Sequence, residues 1–315
     1  ASASADSAPR SARSASAAPD GASGSHRRAD IILPPGIRAG QHVRRRGEEM
    51  RTGDAALPAG RRLTPADIGV AASLGLPTLP VYRRLRIGCL STGSELKQIG
   101  EPHTQGQIFD SNRHTLLGMA RQQGFATIDL GAVSDRPDAI TAALIDASTR
   151  VDVILTTGGA AGGDADLITQ AAAASGEARA WKLRLRPGRP LIVGRIGTSI
   201  LFGLPGNPVA AFISYRFIIG DALRQMAGAE PEHWHPIRAR AGRAFDKRPG
   251  RTEYQRVHLH QDTSGPPIAT PHASQSSAMM STLAEADGIA VLPEQLGPVV
   301  EGTWLDVIPM HGLMG

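Results

Sequence analysis

The stretch Val151-Asp-Val-Ile-Leu-Thr-Thr-Gly-Gly-Ala-Ala-Gly-Gly-Asp-Ala-Asp166 decides the fold. Its first residues are mostly apolar and β-branched, which is typical of a strand covered on both faces of a sheet. The glycines that follow allow the backbone to turn sharply and to approach a ligand closely. Asp164 is placed to cap a helix that runs to Ala174, with Asp166 in its first turn. The stretch therefore predicts a strand, a phosphate-sized loop and a helix start at the edge of an open α/β sheet, where ligands bind.

Strands and helices alternate on both sides of this stretch. The predicted helices cover residues 111–123, 136–148 and 209–226, and the predicted strands cover 87–90, 125–130, 180–185, 190–193 and 199–202. Such alternation indicates a parallel or mixed sheet with helices on both faces. We therefore expect an α/β fold whose main part, residues 85–230, is a three-layer αβα domain.

The two ends of the chain differ from this middle part. Residues 1–29 hold almost no large apolar side chains and are predicted to be a disordered tail, with an organellar transit peptide or a truncated or mistranslated start as alternatives. Residues 30–84, with a strand end at 31–33 and a helix starting after Thr64, are interpreted as a remnant N-terminal α+β segment. Residues 231–315 consist of short alternating segments between glycines and prolines, which predicts a small C-terminal β domain.

The composition excludes several classes of protein. The single cysteine, Cys89, rules out an internal disulfide framework and is predicted to be a small buried hydrophobe. No apolar run approaches the roughly 20 residues of a membrane span, so we expect no membrane segment and a cytoplasmic location. The net charge of +5 would suit nucleic acid, but the basic residues are dispersed and aromatic residues make up only 4%. An anionic small molecule is the better-matched partner.

A set of ordered segments carries a more specific signal. The segments are Ser91-Thr-Gly-Ser-Glu-Leu96, Gln107-Ile-Phe-Asp-Ser-Asn112, the central glycine loop with its acids, Arg184-Leu-Arg-Pro-Gly-Arg-Pro190 and Gly203-Leu-Pro-Gly-Asn-Pro208. In this order they resemble the molybdopterin molybdenumtransferase family, to which the gephyrin E domain is related. The resemblance implies a homodimer that binds adenylylated molybdopterin, inserts molybdate and releases AMP with help from Mg2+. It also implies contact with the molybdopterin adenylyltransferase that acts before it.

The resemblance assigns roles to individual residues. The catalytic set is Glu95, Asp135, Asp166, Lys182 and Arg186, of which Glu95 and Asp166 would bind Mg2+ through hard carboxylate oxygens. The cofactor-binding set is Thr92, Gly93, Asp110, Asn112, Gly158, Gly159, Asp164, Arg189, Pro205, Gly206, Asn207 and Pro208. Backbone amides of the Thr92–Gly93 turn and the glycine loop would meet phosphate and pterin oxygens, and the cations would neutralise molybdate or pyrophosphate.

Each of these residues also has a purely structural interpretation. Asp135 could cap the helix that follows Arg136, Lys182 and Arg186 could form the solvated face of a strand, and the glycine-rich and proline-rich turns could be plain connections. Asn207 is expected to cap the next helix. The spacing of His233 with His235 and of His258 with His260 suits metal ligands, but no third partner is evident, so we interpret these as surface or strand histidines.

The sequence departs from the family pattern in several places. The central loop lacks the usual Gly-Gly-Val-Ser-Val-Gly sequence, and Ser94 stands where an aspartate is usual. The family's Asp-Gly-Tyr-Ala and Thr-Gly-Ala segments are not found, so we expect the N-terminal region to be lacking and turnover to be slow. Two alternatives stay open, namely a non-catalytic molybdopterin-binding or scaffolding remnant and a molybdopterin adenylyltransferase.

Overall fold

The computed structural model describes residues 35–310, except residues 103, 159–164, 175, 232–233 and 262–264 and the side chains of residues 165 and 166. The chain divides after Asp54 into two compact units. In the first unit, the described residues form turns such as Arg38–Gln41 and Arg51–Asp54. The predicted disordered tail, the predicted strand end at 31–33 and the predicted cap Asp164 lie outside the described residues.

The second unit contains helices and strands throughout. Its helices are α1 (Pro65–Ser73), α2 (Ser111–Gln122), α3 (Pro137–Arg150), α4 (Ala165–Ala173), α5 (Pro208–Ser214), α6 (Gly220–Met226) and α7 (Ser281–Glu285). Its strands are β1 (Arg86–Thr92), β2 (Leu96–Lys97), β3 (Ile108–Phe109), β4 (Ala126–Val133), β5 (Val153–Thr157), β6 (Gly176–Lys182), β7 (Leu185–Arg186), β8 (Pro190–Ile196), β9 (Ser199–Leu204), β10 (Ile237–Ala241), β11 (Thr252–His260), β12 (Ile268–Pro271), β13 (Gly288–Leu292) and β14 (Trp304–Pro309). None of the described helices is long and apolar enough to cross a membrane.

A mixed sheet of order β4-β1-β5-β9-β8-β6 forms the centre of this unit. The first four strands are parallel, whereas β8 and β6 run antiparallel to their neighbours. One face is covered by α2, α5 and α6, whose side chains share a core with Leu155, and the other face is covered by α3 and α4, which pack on Ile154. Strand β5 is buried along its whole length, as its apolar β-branched sequence predicts. The predicted three-layer αβα architecture is confirmed.

Local capping chemistry sets the starts of the helices. The Thr64 hydroxyl accepts from the Asp67 amide while the Asp67 carboxylate accepts from the Thr64 amide, so α1 begins with a complete capping box. Asp110 caps α2 by accepting from the Arg113 amide at 3.2 Å. Gly124, whose φ is +88°, follows α2 and ends it as predicted.

Two predicted elements were wrong in detail. The segment 180–185 is not one strand, because β6 ends at Lys182 and the Leu183 amide donates to the Arg189 carbonyl oxygen at the base of the loop that follows. The chain then enters β7, which belongs to a different sheet. The helix predicted over 209–226 is interrupted by a π-helical turn, Tyr215–Ile219. Turns of this type add a residue to a helix and redirect its side chains.

The C-terminal strands close into a small barrel. They pair in the order β12-β10-β14-β13-β11, and β11 pairs again with β12, while β7 joins the outside of β11 in parallel. Small and branched side chains such as Ala239, Val257 and Val307 fill the interior. The predicted C-terminal β domain is confirmed. Because β7 comes from the α/β part of the chain, this strand pair holds the barrel against the α/β domain.

Candidate functional site

A cleft of about 990 Å3 lies where the carboxyl edge of the central sheet faces the barrel. Its α/β side includes the ends of β1 and β5 and the loop between β9 and α5, and its barrel side includes β11 and the loop after β12. Two backbone hydrogen bonds join the sides, from the Val209 amide to the Ser277 carbonyl oxygen and from the Thr252 amide to the Arg184 carbonyl oxygen. A cleft at the carboxyl ends of parallel strands is the usual ligand site of an open α/β sheet.

Most of the residues predicted from the sequence line this cleft. They are Thr92, Gly93, Glu95, Asp135, Gly158, Arg186, Arg189, Pro205, Gly206 and Asn207. The predicted residues that do not line it are Lys182, Asp110, Asn112 and Pro208. Gly159, Asp164 and the side chain of Asp166 lie outside the described residues. The ordered segments therefore converge in space, although their individual contributions differ.

The turn after β1 presents side chains to the cleft, and its Gly93 and Ser94 amides already donate hydrogen bonds within the protein. The Gly93 amide donates to the Val133 carbonyl oxygen, and the Ser94 amide donates to Asp135 Oδ2 at 3.0 Å. The expectation that the Thr92–Gly93 amides meet phosphate is therefore wrong for Gly93. At Gly93, whose φ is +154°, a Cβ would lie 2.9 Å from both carboxylate oxygens of Glu95, so the Glu95 carboxylate lies directly against this turn. The turn thus carries the Glu95 carboxylate on the cleft surface.

Asp135 connects this turn to the neighbouring strand end. The residue at the N-cap of α3 is Arg136, which makes no side-chain capping hydrogen bond. Asp135 instead accepts from Ser94, so the structural alternative that Asp135 caps α3 is wrong. Its position in the cleft beside Glu95 places two carboxylates on one side of the site.

Gly158 lies directly against the end of β1. Its φ is +90°, and a Cβ at this position would lie 2.1 Å from the Thr92 carbonyl oxygen. Asn112 fastens the same region, because its Nδ2 donates to Thr157 Oγ1 at 2.8 Å and to the Gly206 carbonyl oxygen at 2.7 Å. The start of α2, the end of β5 and the Pro205–Pro208 loop are therefore tied together beneath the cleft.

Asp110 also supports the site from behind. Besides capping α2, its carboxylate pairs with the buried Arg113 guanidinium at 2.8 Å, and Arg113 pairs in addition with Asp129. Asn207 occupies the N-cap position of α5 but makes no side-chain capping hydrogen bond, so the expectation that its side chain caps this helix is wrong. Asn207 lines the cleft.

The predicted cations fall into two groups. Arg186 and Arg189 line the cleft, and Arg186 lies 3.7 Å from the buried carboxylate of Glu253 on β11. Lys182 is exposed at the end of β6 and does not line the cleft, which is the solvated position of the structural alternative. The loop between β6 and β8 therefore brings arginines to the site, while Lys182 at the end of β6 stays outside it.

Arg256 is the most informative residue that the sequence did not reveal. It lies on β11, is 0% exposed and lines the cleft. Its Nη2 donates to the carbonyl oxygens of Ser274 and Ser276, whereas Nε and Nη1 have no hydrogen-bond partner among the described residues. Burial lowers the pKa of Arg256 to about 10, so it remains charged at neutral pH. Because a buried cation with unpaired donors is unfavourable, Arg256 beside the cleft is a candidate group for binding an anion.

No metal cluster forms among the residues that the structure describes, since none of their His, Cys, Asp and Glu side chains gather in threes. His258 packs against the His272 ring, with 5.2 Å between the ring centroids, and its Nδ1 lies 3.5 Å from Asp287 Oδ2. His233 lies outside the described residues. Cys89 is a buried free thiol whose pKa is raised by desolvation, as expected for a small hydrophobe.

The structural class is defined by an α/β domain that shares one cleft with a small barrel. Three family models match different parts of this chain. Residues 88–225 match the probable molybdopterin binding domain, residues 238–310 match the MoeA C-terminal region (domain IV), and residues 16–75 match the MoeA N-terminal region (domain I and II). The chain belongs to the molybdopterin molybdenumtransferase family.

Individual relatives support this assignment. The chain is 31% identical over 279 residues to molybdopterin molybdenumtransferase of Haemophilus influenzae, covering 87% of this chain and 68% of the relative. It is 34% identical over 277 residues to molybdopterin molybdenumtransferase 2 of Mycobacterium tuberculosis, covering 85% and 67%. A solved MoeA structure from Pyrococcus horikosii superposes with a TM-score of 0.71 at 25% identity, over 84% of this chain and 64% of that one. The chain thus spans about two thirds of these relatives.

The N-terminal match corrects one expectation. The family's N-terminal region is not simply lacking, because a model of that region matches residues 16–75. This match begins inside the stretch that composition assigned to a disordered tail. The composition of residues 16–29 concealed the relationship because alanine, serine, glycine and arginine give little periodic signal.

Proposed function

We propose that this chain inserts molybdate into adenylylated molybdopterin and releases AMP, in a reaction that depends on Mg2+. The relatives' names state the transferase activity for those proteins. The observation that carries the proposal is the cleft itself, in which glycine turns and carboxylates on one side face a buried, partly unpaired arginine on the other. A pterin nucleotide and an oxyanion need these two kinds of surface at one site.

The α/β side suits the pterin nucleotide. The Gly158 backbone and the Pro205–Gly206 loop form a surface without bulky side chains, so a planar or phosphorylated group can approach closely. The buried Thr92 hydroxyl, which has no partner among the described residues, supplies a polar group at the same surface. Ile108 adds an exposed apolar side chain at the edge of the cleft.

The barrel side suits the oxyanion. Nε and Nη1 of Arg256 are donors without a partner among the described residues, and an oxyanion such as molybdate could accept from a guanidinium of this kind. Charge-assisted hydrogen bonds of this kind are strong in a desolvated pocket. Arg186 and Arg189 approach from the α/β side and add positive charge. Molybdate would thus be held next to the bound pterin nucleotide.

The carboxylates fit a magnesium ion. Glu95 and Asp135 are hard oxygen donors on one side of the cleft, and Asp166 is a third acid assigned by the resemblance. These residues would hold Mg2+, which when bound offsets charge on the phosphates that separate during AMP release. Ser94 keeps Asp135 oriented through its backbone amide.

The remaining parts of the proposal are supported by the family resemblance. They are a homodimeric assembly, contact with the molybdopterin adenylyltransferase and a cytoplasmic location. The alternative that the chain is itself the adenylyltransferase is less well supported, because the barrel supplies a large part of the cleft lining and residues 238–310 match the MoeA C-terminal region.

Two assays on the purified chain test the proposal. Calorimetric titration with adenylylated molybdopterin measures binding, and AMP release with and without molybdate measures turnover. We expect binding together with AMP release that requires both molybdate and Mg2+. Binding without any molybdate-dependent AMP release would favour the non-catalytic remnant, and absence of binding would refute the site.

A further inference from the structure

We propose that Gln275 is a positioning residue that holds Arg256 in its anion-binding orientation. The inference rests on the proposed oxyanion role of Arg256 and adds the element that fixes this arginine. Gln275 follows β12 in the loop on the barrel side of the cleft. Its side-chain amide forms hydrogen bonds with the backbone of Arg256.

The Gln275 side chain adds to the pairing at the end of the β11–β12 ladder. Strand β12 ends at Pro271, which is paired with Val257, and the next residue, His272, donates its amide to the Arg256 carbonyl oxygen at 2.8 Å. Gln275 Oε1 accepts from the Arg256 amide at 3.0 Å, and its Nε2 donates to the Arg256 carbonyl oxygen at 2.8 Å. The same Nε2 donates to the His272 carbonyl oxygen at 3.2 Å. A primary amide carries the donor and the acceptor that a paired strand residue would offer.

The residues on either side of Gln275 hold the guanidinium. Arg256 Nη2 donates to the carbonyl oxygens of Ser274 at 3.2 Å and Ser276 at 3.0 Å. The segment Ser274–Ser276 therefore holds Arg256 in two ways. The Gln275 side chain bonds to the Arg256 backbone, and two carbonyl oxygens accept from its guanidinium. This double attachment uses Nη2 and leaves Nε and Nη1 without a partner among the described residues. Preorganisation of this kind reduces the entropy lost on binding.

The barrel does not depend on this attachment for closure. Strands β11 and β12 pair through residues 257–260 and 268–271, which lie beyond Arg256. The loop also has a separate support, since His272 contacts the Ser274 amide at 3.1 Å and Glu285 of α7 at 3.0 Å. Loss of the Gln275 amide is thus expected to loosen Arg256 while the barrel stays folded.

The test compares Gln275→Met and Gln275→Glu with the unchanged chain. Methionine keeps the approximate volume but removes both hydrogen-bonding functions, whereas glutamate keeps an acceptor and loses the donors. A matched control is Gln123→Met, which removes an amide that bonds to Tyr215 on the far side of the core. Molybdate alone and adenylylated molybdopterin alone are titrated calorimetrically, and the melting temperature of each variant is recorded.

We expect Gln275→Met to weaken molybdate binding roughly tenfold, because the free energy of about one hydrogen bond is lost. Adenylylated molybdopterin affinity is expected to stay within twofold, and in turnover the KM for molybdate is expected to rise more than kcat falls. Gln275→Glu is expected to follow the same pattern. Gln123→Met is expected to leave molybdate affinity unchanged.

Other outcomes separate the two claims. Unchanged molybdate affinity in both Gln275 variants, with Arg256→Met abolishing binding, would refute the positioning role and leave the proposed function intact. Unchanged affinity in Arg256→Met would refute the oxyanion site itself. Equal losses for molybdate and the pterin nucleotide in Gln275→Met, with a lower melting temperature, would show a general structural role and overturn the inference.

Discussion

Replacing Gly158 with alanine should destabilise the molecule and disturb the cleft at once. The added Cβ would lie 2.1 Å from the Thr92 carbonyl oxygen, a separation at which backbone must move. The left-handed conformation, with φ of +90°, adds roughly 1–2 kcal/mol for a residue with a side chain. Overpacking in a closely packed interior typically adds about 1–3 kcal/mol.

Together these terms predict a loss of about 2–5 kcal/mol in the free energy of unfolding. For a unit of this size the middle of that range corresponds to a fall of roughly 7–14 °C in melting temperature. Thermal unfolding followed by circular dichroism measures it. The control is Gly118→Ala in α2, where a Cβ meets nothing within 4 Å, and there we expect a gain of about 0.5–1 kcal/mol.

The result for Gly158→Ala has a functional part as well. Because β1 and β5 would separate at their carboxyl ends, Thr92 and the turn that carries Glu95 would shift, and affinity for adenylylated molybdopterin should fall with stability. If Gly158→Ala melted within a degree or two of the unchanged chain, the close approach of the two strands would be wrong.

Two further predictions concern charged groups. Glu95→Gln should reduce Mg2+-dependent AMP release by about 10²-fold or more with little change in melting temperature, and full activity in this variant would exclude Glu95 from the site. Arg83 and Arg86, together with the Arg86 amide, hold the pKa of Asp152 well below its usual range. Because this pKa is lowered, ionised Asp152 stabilises the folded protein fully above the ordinary aspartate pKa. This contribution is lost as the pH falls through the folded-state pKa. Asp152→Asn should therefore lower the melting temperature at pH 7 and progressively less below pH 4, and an equal difference at every pH would contradict the assignment.

Local sequence signals were sufficient for the elements around the cleft. The cap Asp110, the capping box of Thr64 and Asp67, and the glycine after α2 are determined by neighbouring residues, so they could be predicted from short stretches. The buried character of β5 followed from its apolar β-branched sequence. The family resemblance then located Glu95, Asp135 and Arg186 on the cleft surface.

The barrel side of the site could not be predicted in this way. Arg256 lies in a strand whose alternating pattern gives no sign of a buried charge, and its partners Ser274 and Ser276 lie 18 and 20 residues further along the chain. Strand β7 was missed because its partner β11 is distant in sequence. The supporting roles of Asp110 and Asn112 depend on similar long-range contacts, such as that between Asn112 and Gly206.

The rate of turnover is a separate question from the site. The expectation of slow turnover rested on the missing Asp-Gly-Tyr-Ala and Thr-Gly-Ala segments, while residues 16–75 match the family's N-terminal region. Groups that act only in the transition state affect rate more than affinity. The match over residues 16–75 removes the ground for that expectation, so we predict tight binding of adenylylated molybdopterin, and absence of binding would contradict this.

The central claim is that an oxyanion binds at the unpartnered donors of Arg256, and the most direct measurement is the position of a heavy oxyanion in a crystal. Tungstate, which has the shape and charge of molybdate, gives a strong anomalous signal. We predict an anomalous peak within hydrogen-bonding distance of Arg256 Nε or Nη1, which disappears in Arg256→Met but persists in Arg238→Met, a change to an exposed arginine on the barrel's outer face. A peak elsewhere, or one that persists in Arg256→Met, would contradict the account.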